Sequence, residues 1–317
     1  TTIAKRLLSI LYFRCVFTII VIGLQVQNYI FFDKRGTMSV LFCTFANLRN
    51  IIDMNHIADF LQSSDMFSLP IVCILIVVGS IVGFINTISG GATAISYALF
   101  MAMGMPITVA NGTTRLGVTM QFATTSVIFS KKGILNKHDA IQVGVPVALG
   151  AVGGAQVASS ISPHIFELIL ACFLIIMLLL LVFDAKRFLN QQISSTSQKF
   201  SFWKFMLFVA IGFYGGFTHV GVGLMILFAS VLILKTDLLH ANGIKQLAVV
   251  LYTPLALITF ALNGQVNWPV AIIYGIGNVI GGYIGSKKAI SWGTNFVRWF
   301  TIVIVFVFAS FLIIKNI

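Results

Sequence analysis

The sequence predicts an all-α, multi-pass integral membrane protein built from two repeats of opposite topology. Three observations predict this class: the composition, a succession of long apolar segments, and an internal repeat. Of the 317 residues, 58% are hydrophobic and only 9% are charged, whereas soluble domains carry about 25% charged residues. A chain this apolar has too few polar side chains to cover a surface in water, so we expect it to lie in lipid. Its continuous apolar runs exclude a transmembrane barrel, whose strands alternate apolar and polar residues.

The net charge of +12 indicates membrane topology rather than nucleic-acid binding. The Lys and Arg residues lie in short clusters at the ends of apolar segments, as expected for residues that mark the cytoplasmic side. The expected surrounding partner is therefore membrane lipid and not nucleic acid. The four cysteines have no CxxC spacing, so the sequence predicts neither a metal site nor a disulfide framework, and we expect no cofactor.

The N-terminal segment, 1–68, falls outside the regular pattern of apolar segments. An apolar stretch over 15–32 predicts one extra helix, and a connector follows it up to residue 68. No small-residue cleavage site follows this stretch, so a secretory signal is not expected. The rest of the chain divides into a first repeat (69–183), a cytoplasmic linker (184–204) and a second repeat (205–317). The predicted segments are 69–88, 92–104, 107–130, 138–158 and 163–183, followed by 205–218, 222–234, 241–262, 268–286 and 294–314.

Identical residues at matched positions indicate the repeat. An offset of 131 in residue number aligns Ala110-Asn111-Gly112 with Ala241-Asn242-Gly243, and the same offset pairs Gly133 with Gly264. Matched Asn and Gly residues are hard to obtain by chance in an apolar chain. We therefore interpret the two halves as copies of one unit, as in many secondary transporters.

The distribution of charge indicates how the repeats are oriented. The loop 131–138 carries three Lys, and its partner at 262–269 carries none. In the next pair of loops, 159–164 has no Lys or Arg, whereas 286–298 has three basic residues. Because Lys and Arg favour the cytoplasm, matched loops lie on opposite sides and the repeats are inverted. If the linker does not cross, inversion requires an odd number of membrane crossings in each repeat. The last three segments of each repeat are therefore predicted to cross. The first two segments of each repeat, its opening pair, are predicted to form a re-entrant or broken helix pair. Two short full crossings are the alternative.

Each opening pair contains a polar break at membrane depth. In the first repeat this break is the run from Asn86 to Thr93, "NTISGGAT". An offset of 133 in residue number pairs Gly90 with Gly223 and places the second break after Gly216. Lipid satisfies no backbone N–H or C=O group, so such a break must be buried in protein or line a wet cavity. Helix N-termini there would present N–H groups to an anion, and a small-residue packing face is the alternative.

A second polar cluster follows each break. Arg115 lies four residues after Asn111, and Lys245 lies three residues after Asn242, both inside apolar segments. A charge within the membrane is costly, so both are candidate ligands, with a cation that reaches the interface as the alternative. No Asp or Glu lies in the middle of a repeat helix, which favours a small anion as substrate. The predicted substrate-binding residues are Asn86, Thr87, Ser89, Gly90, Gly91, Thr93, Asn111, Thr113, Thr114, Arg115, Gln121, His219, Gly221, Gly223, Asn242, Lys245 and Gln246.

Five motifs occur in order along the two repeats. They are "GFINTISGGATAISY", "PITVANGTTR", "GFYGGFTHVGVG", "LLHANGIK" and "GQVNW". Together they resemble the motifs of the TauE/SafE sulfite exporter family of membrane permeases, over about residues 69–315. The resemblance implies a secondary transporter that exports a small sulfur-containing anion, such as sulfite or an organosulfonate. The expected location is then the inner (plasma) membrane of a prokaryotic type of cell.

Other functional classes receive less support from the residues. An anion channel, or a transporter of a small carboxylate or another organic anion, is the alternative that the residues leave open. A membrane enzyme is less favoured because the five histidines are dispersed and no HExxH or GxSxG motif occurs, so we predict that the chain is not an enzyme. His219 is a mid-segment group able to titrate near neutral pH, with a hydrogen-bonded packing role as its alternative. Coupling to protons or to another ion is compatible with the sequence.

Overall fold

The computed structural model describes residues 61, 67–166, 169–170 and 200–315. All regular secondary structure in these residues is helical. The helices that position the site are numbered in chain order. They are α1 (Leu69–Ile88), α2 (Thr93–Ala102), α3 (Ile107–Lys131), α4 (Lys137–Ser160), α5 (Phe202–Phe217), α6 (Val222–Leu234), α7 (Leu238–Leu262) and α8 (Trp268–Lys315). Gly293 has a non-helical backbone and divides α8 into two helical parts.

Where the structure describes them, the predicted segments agree with these helices to within three residues at their ends, except that 268–286 continues as a helix to Gly293. The extra helix at 15–32, most of the segment 163–183 and most of the linker 184–204 lie outside the described residues. α5 begins at Phe202, within the last three residues of the predicted linker. Aromatic residues at the start of α5 extend its apolar surface, and the single Lys204 does not interrupt the helix.

Four described helices are long and apolar enough to cross a membrane. They are α1, α4, α7 and the first part of α8, Trp268–Gly293. α3 is also long, with 25 residues, but its polar side chains keep it out of this set, and most of them are buried inside the protein. Apolar side chains instead cover the outer faces of α4 and α8: Ile141, Val145 and Leu149, and Ile272, Ile276 and Ile280. The chain is therefore a multi-pass helical membrane protein.

Matching signals fix the ends of the central helices. Gly133 follows α3 and Gly264 follows α7, and their φ angles of 70° and 68° are ones that glycine adopts without strain. Asn136 caps the start of α4 and Asp237 caps the start of α7, each by accepting two backbone N–H groups. As a result, the offset of 131 relates both the starts of α3 and α7 (107 and 238) and their ends (131 and 262).

The helices of the two halves are interleaved. α1 packs along α8 and α5 packs along α4, so the first helix of each half contacts a late helix of the other. Backbones touch at both contacts: a Cβ atom on Gly281 would lie 1.8 Å from the carbonyl oxygen of Ser80, and one on Gly154 would lie 1.8 Å from that of Phe213. Missing side chains allow this close approach, as is typical of helix packing in membranes.

Contacts along these interfaces give the relative directions of the helices. Residues 76, 80 and 84 of α1 lie beside residues 277, 281 and 285 of α8, so the two helices are parallel. α3 also runs parallel to α8, and α4, α5 and α7 run parallel to one another. At the centre, α3 and α7 are antiparallel, because Thr125 bonds to Gln246 while Gly112 lies beside Phe260. α1 and α3 therefore run opposite to α5 and α7.

Candidate functional site

The break between α1 and α2 is held in shape by its own residues. Gly90 and Gly91 have φ angles of 91° and 94°, a conformation that favours glycine over any residue with a side chain. Across the break, Asn86 accepts the backbone N–H of Ala92 at 2.9 Å and donates to the hydroxyl oxygen of Thr93 at 3.2 Å. Asn86 thus joins the end of α1 to the start of α2.

The break between α5 and α6 is held partly by the first half of the chain. Gly221, with a φ angle of 78°, begins α6. The Tyr214 hydroxyl donates to the carbonyl oxygen of Val220 at 2.7 Å. The Tyr97 hydroxyl, which comes from α2, lies 3.2 Å from the Thr218 hydroxyl. The second break is therefore fixed against the helix that follows the first break.

The two breaks meet backbone to backbone at the centre of the protein. A Cβ atom on Gly223 would lie 3.2 Å from the Cα atom of Gly90, and one on Gly90 would lie 2.8 Å from the nitrogen of Leu224. Each helix N-terminus carries roughly half a positive charge, and here the starts of α2 and α6 converge. The backbone N–H groups without an acceptor among the described residues include those of Gly91, Thr93, Ala94, Val222, Gly223 and Leu224.

The two breaks are related by an offset of 129 in residue number, and the predicted offset of 133 was wrong. The ends of α1 and α5, at Ile88 and Phe217, and the starts of α2 and α6, at Thr93 and Val222, both give the smaller value. The starts of α1 and α5, at Leu69 and Phe202, do differ by 133, because α1 has 20 residues and α5 has 16. The smaller offset therefore holds next to the breaks, and the larger one at the far ends of α1 and α5.

Arg115 binds the broken helix of the other half. Its side chain is wholly buried, and it donates to the carbonyl oxygens of Gly215 at 2.7 Å and Gly216 at 2.8 Å, at the end of α5. It also donates twice to the Asn111 side-chain oxygen, at 3.2 and 3.0 Å, and the Asn111 amide donates to the carbonyl oxygen of Phe217. A guanidinium has five N–H groups, so one of them, on Nη1, has no partner among the described residues.

Lys245 and Gln246 bind the other broken helix in the same way. The buried Lys245 ammonium donates to the carbonyl oxygens of Asn86 at 3.0 Å and Thr87 at 3.1 Å, at the end of α1. Gln246 donates to the same Thr87 oxygen and to the side-chain oxygen of Asn242, both at 2.9 Å. Gln246 thus takes the place that Arg115 has in the first half. The third ammonium hydrogen of Lys245 and the buried Asn242 amide nitrogen have no partner in the described part of the chain.

The two buried cations have no carboxylate partner among the described residues. Asp139 and Asp237 are the acids in that part of the chain, and both lie at helix starts outside the centre. The negative ends of α1 and α5 are offset by the positive ends of α2 and α6, so roughly two positive charges remain. An unpaired ion in a dry site costs several kcal/mol. A bound anion would remove much of that cost.

Hydroxyl groups supply fewer donors than the sequence suggested. Three hydroxyl protons are donated to carbonyl groups of their own segment: those of Thr87, Ser89 and Thr114. Thr113, predicted to face the substrate, instead accepts the N–H of Asn267 at 3.0 Å in the loop before α8. The hydroxyl proton of Thr93 has no acceptor among the described residues and stays available at the first break.

Three residues that the sequence analysis did not select belong to the same polar network: Tyr97, Thr125 and Tyr252. The Tyr97 hydroxyl donates to the side-chain oxygen of Asn111 at 2.5 Å, and Tyr97 is the last residue of the motif "GFINTISGGATAISY", although no site role was predicted for it. Thr125 lies one helical turn after Gln121, whose amide donates to Thr87 and Gly83 and whose oxygen is buried without a partner. Tyr252 matches Gln121 at the offset that aligns α3 with α7, so the repeat alignment contained a signal for it.

Comparison with known proteins gives one family and several bacterial relatives. Residues 75–312 match the family described as Sulfite exporter TauE/SafE. The chain is 27% identical over 244 residues to a probable membrane transporter protein of Haemophilus influenzae, which covers 76% of this chain and 94% of the relative. It is 25% identical over 224 residues to the probable membrane transporter protein ORF9 of Sinorhizobium sp, and this match covers 71% of this chain and 85% of the relative. It is 23% identical over 227 residues to the probable membrane transporter protein YfcA of Escherichia coli K12, with 71% of this chain and 83% of the relative covered. No solved structure matches.

Proposed function

The chain belongs to the TauE/SafE sulfite exporter family of membrane transporters, and from that premise we propose that it exports a small sulfur-containing anion such as sulfite or an organosulfonate. One observation is the main support for an anionic substrate. Arg115 and Lys245 are wholly buried at the two breaks, and neither has a carboxylate partner among the described residues. Transport requires no covalent chemistry, and we propose none.

The free donors at the breaks suit an anion with several oxygens. Arg115 and Lys245 each keep one N–H group that has no partner among the described residues, and the Asn242 amide and Thr93 hydroxyl add two neutral donors. The backbone N–H groups at the starts of α2 and α6 complete the set. Sulfite and sulfonate groups offer three acceptor oxygens that point in different directions, whereas a carboxylate offers two in one plane. We therefore expect the sulfur anions to bind more tightly than carboxylates of similar size.

We also propose that the halves, 69–183 and 205–317, are inverted repeats. Support comes from the direction of α1 and α3, which is opposite to that of α5 and α7, and from the constant offset between α3 and α7 at both of their ends. α2 has ten residues, or about 15 Å of helix, against a hydrocarbon core of about 30 Å. α2 is thus too short to cross by itself, which supports a re-entrant or broken pair even though α1, with 20 residues, is long enough to cross.

The position of the site supports a carrier rather than an open channel. Arg115 and Lys245 are 0% exposed and His219 is 3% exposed, so the breaks are closed to solvent. An anion can reach them only if helices move. In inverted-repeat transporters, such movement of one bundle against the other opens a central site to each side in turn.

Counterflow in proteoliposomes tests this function. Vesicles are loaded with unlabelled sulfite or methanesulfonate and diluted into a trace of the same labelled anion. A carrier accumulates the label transiently because exchange is coupled, whereas a channel dissipates the gradient without accumulation. We expect counterflow with both sulfur anions, weaker counterflow with acetate, and none in protein-free vesicles. Stronger counterflow with acetate than with either sulfur anion would contradict the proposed substrate class, and dissipation without accumulation would contradict the carrier.

A further inference from the structure

We propose that His219, in the break between α5 and α6, binds a proton that crosses the membrane together with the anion. The inference rests on the proposed function, because it supposes that an anion occupies the region between the breaks. It adds a second ligand, a proton, and names the side chain that holds it.

The surroundings of the His219 ring suit both the neutral and the protonated form. The ring is buried, and its Nδ1 atom lies 2.6 Å from the Tyr252 hydroxyl. The Tyr252 hydroxyl has no other partner among the described residues. A hydroxyl both donates and accepts. It therefore donates to Nδ1 of a neutral ring, and after rotation of the O–H bond it accepts from Nδ1–H of a charged ring, with no movement of heavy atoms.

The other ring nitrogen is available for a ligand. Nε2 of His219 has no hydrogen-bond partner in the described part of the chain. When Nδ1 accepts from Tyr252, the neutral ring carries its proton on Nε2, and the charged ring carries a proton on both nitrogens. Nε2–H is therefore a donor in both forms. In the charged form it would make a charge-assisted hydrogen bond to an anion oxygen, which is shorter and stronger than a neutral one.

The charges around His219 link the proton to the anion. In the described part of the chain, the titratable side chains near it are Tyr97 from α2, Arg115 from α3, Tyr214 from α5, and Lys245 and Tyr252 from α7. α6 and the first break, which pack against this tip, carry no titratable side chain. Among the described residues, two cations and no carboxylate surround the ring and oppose a third positive charge while the site holds no anion. A bound anion removes this opposition and so raises the affinity of His219 for a proton. By thermodynamic reciprocity, a bound proton raises the affinity for the anion by the same factor.

The balance of charge gives a definite stoichiometry. One proton from the aqueous phase adds to the His219 ring as one monovalent anion binds, so the net charge of the site does not change. Both ligands leave together on the opposite side. Transport of a monovalent anion is then electroneutral, and a pH difference of one unit holds the anion at an about tenfold higher concentration on the alkaline side. When the cell interior is the alkaline side, export therefore needs an outward anion gradient that exceeds this ratio.

Proton movement per anion is the decisive measurement. Methanesulfonate is a suitable probe because it stays ionised at neutral pH, so any proton that moves is carried by the protein. Proteoliposomes enclose a pH-sensitive dye, and potassium with valinomycin removes the membrane potential. For the wild type we expect an inward methanesulfonate gradient to acidify the lumen by about one proton per anion. His219→Gln is expected to give a ratio near zero at whatever rate it transports. His138→Gln, an exposed residue of α4, should keep the wild-type ratio.

Two measurements on purified protein decide the proposal even where His219→Gln fails to fold. Calorimetric titration with methanesulfonate in buffers of different ionisation enthalpy counts the protons taken up with the anion, and we expect about one for the wild type. Nitrogen NMR of histidine-labelled wild type should convert one signal from the neutral to the charged form on adding methanesulfonate. That signal should resist broadening by a soluble paramagnetic reagent, since His219 is buried.

The outcomes separate this inference from the function on which it rests. A wild type that binds and moves methanesulfonate without protons, or a His219→Gln variant with the wild-type proton ratio, overturns the role of His219 and leaves the anion transporter standing. A wild type that neither binds nor moves sulfite or methanesulfonate refutes the proposed function, and the His219 proposal fails with it.

Discussion

Replacing Arg115 with Gln tests whether the buried charge binds the anion or only stabilises a broken helix. Gln is the informative substitution because Gln246 holds the equivalent position and bonds there to Thr87 and Asn242. A Gln at position 115 can make the corresponding bonds to the end of α5 and to Asn111. The substitution therefore removes the positive charge while it keeps the local connections.

The expected loss of affinity follows from the one free N–H group of the guanidinium. A hydrogen bond to a charged group contributes roughly 1.5–3 kcal/mol, which corresponds to about a ten- to hundredfold change in the dissociation constant. Arg115→Gln should weaken sulfite binding by that factor. Arg115→Lys restores the charge but not the planar fork, so it should recover only part of the affinity. The change in the free energy of unfolding should be smaller than this loss of binding energy, because the Gln keeps a bond to the end of α5 and a charge is no longer buried.

Isothermal titration of the purified wild type, Arg115→Gln and Arg115→Lys with sulfite measures the three affinities. Thermal melting of the same samples reports the stability separately. Lys245→Gln is a matched variant, because it removes the other cation at the end of α1. If Arg115→Gln binds sulfite as tightly as the wild type, Arg115 serves only to cap α5. That result would remove the principal support for an anion between the breaks.

Three further predictions address packing, topology and capping. Gly281→Ala places a methyl group 1.8 Å from a carbonyl oxygen of α1, so its Tm should fall well below that of Gly153→Ala, whose nearest neighbour is 3.6 Å away; equal Tm values would contradict the contact. In a cysteine-free background, Asn136→Cys should label from the cytoplasm and Asn263→Cys from outside, and labelling of both from one side would contradict the inverted repeats. Burial alone would raise the pKa of the Asp237 carboxyl, but hydrogen bonds from the start of α7 lower it overall from 3.8. The stabilising effect of the ionised carboxyl is thus present above the unfolded pKa and lost as the pH falls through the folded pKa. Asp237→Ala should therefore lower the free energy of unfolding by about 1 kcal/mol at pH 7 and by less at pH 3, as measured by chemical unfolding. Equal losses at both pH values would contradict this role of Asp237.

The helices were predictable because the signals that define them are local. Continuous apolar runs placed α3 and α7 to within about three residues. The contacts of the site were not predictable in this way. Arg115 bonds to carbonyl groups 100 and 101 residues further along the chain, which only the packing of the other half brings close. The bond between Thr113 and Asn267 was not predictable for the same reason, because it forms only where the loop before α8 packs against the start of α3.

The contact between α1 and α8 has a consequence for how the protein is made. Gly83 lies against Asn278, and more than half of the chain separates the two residues. At a synthesis rate of roughly 5–20 residues per second, α1 waits about 10–40 s in the bilayer before its partner helix leaves the ribosome. During that interval its glycine face is uncovered and open to an insertase or to a neighbouring nascent chain. A ribosome that stalls in the linker leaves this face without its partner permanently, so we expect the membrane proteases to remove such fragments unless the second half is supplied as a separate chain.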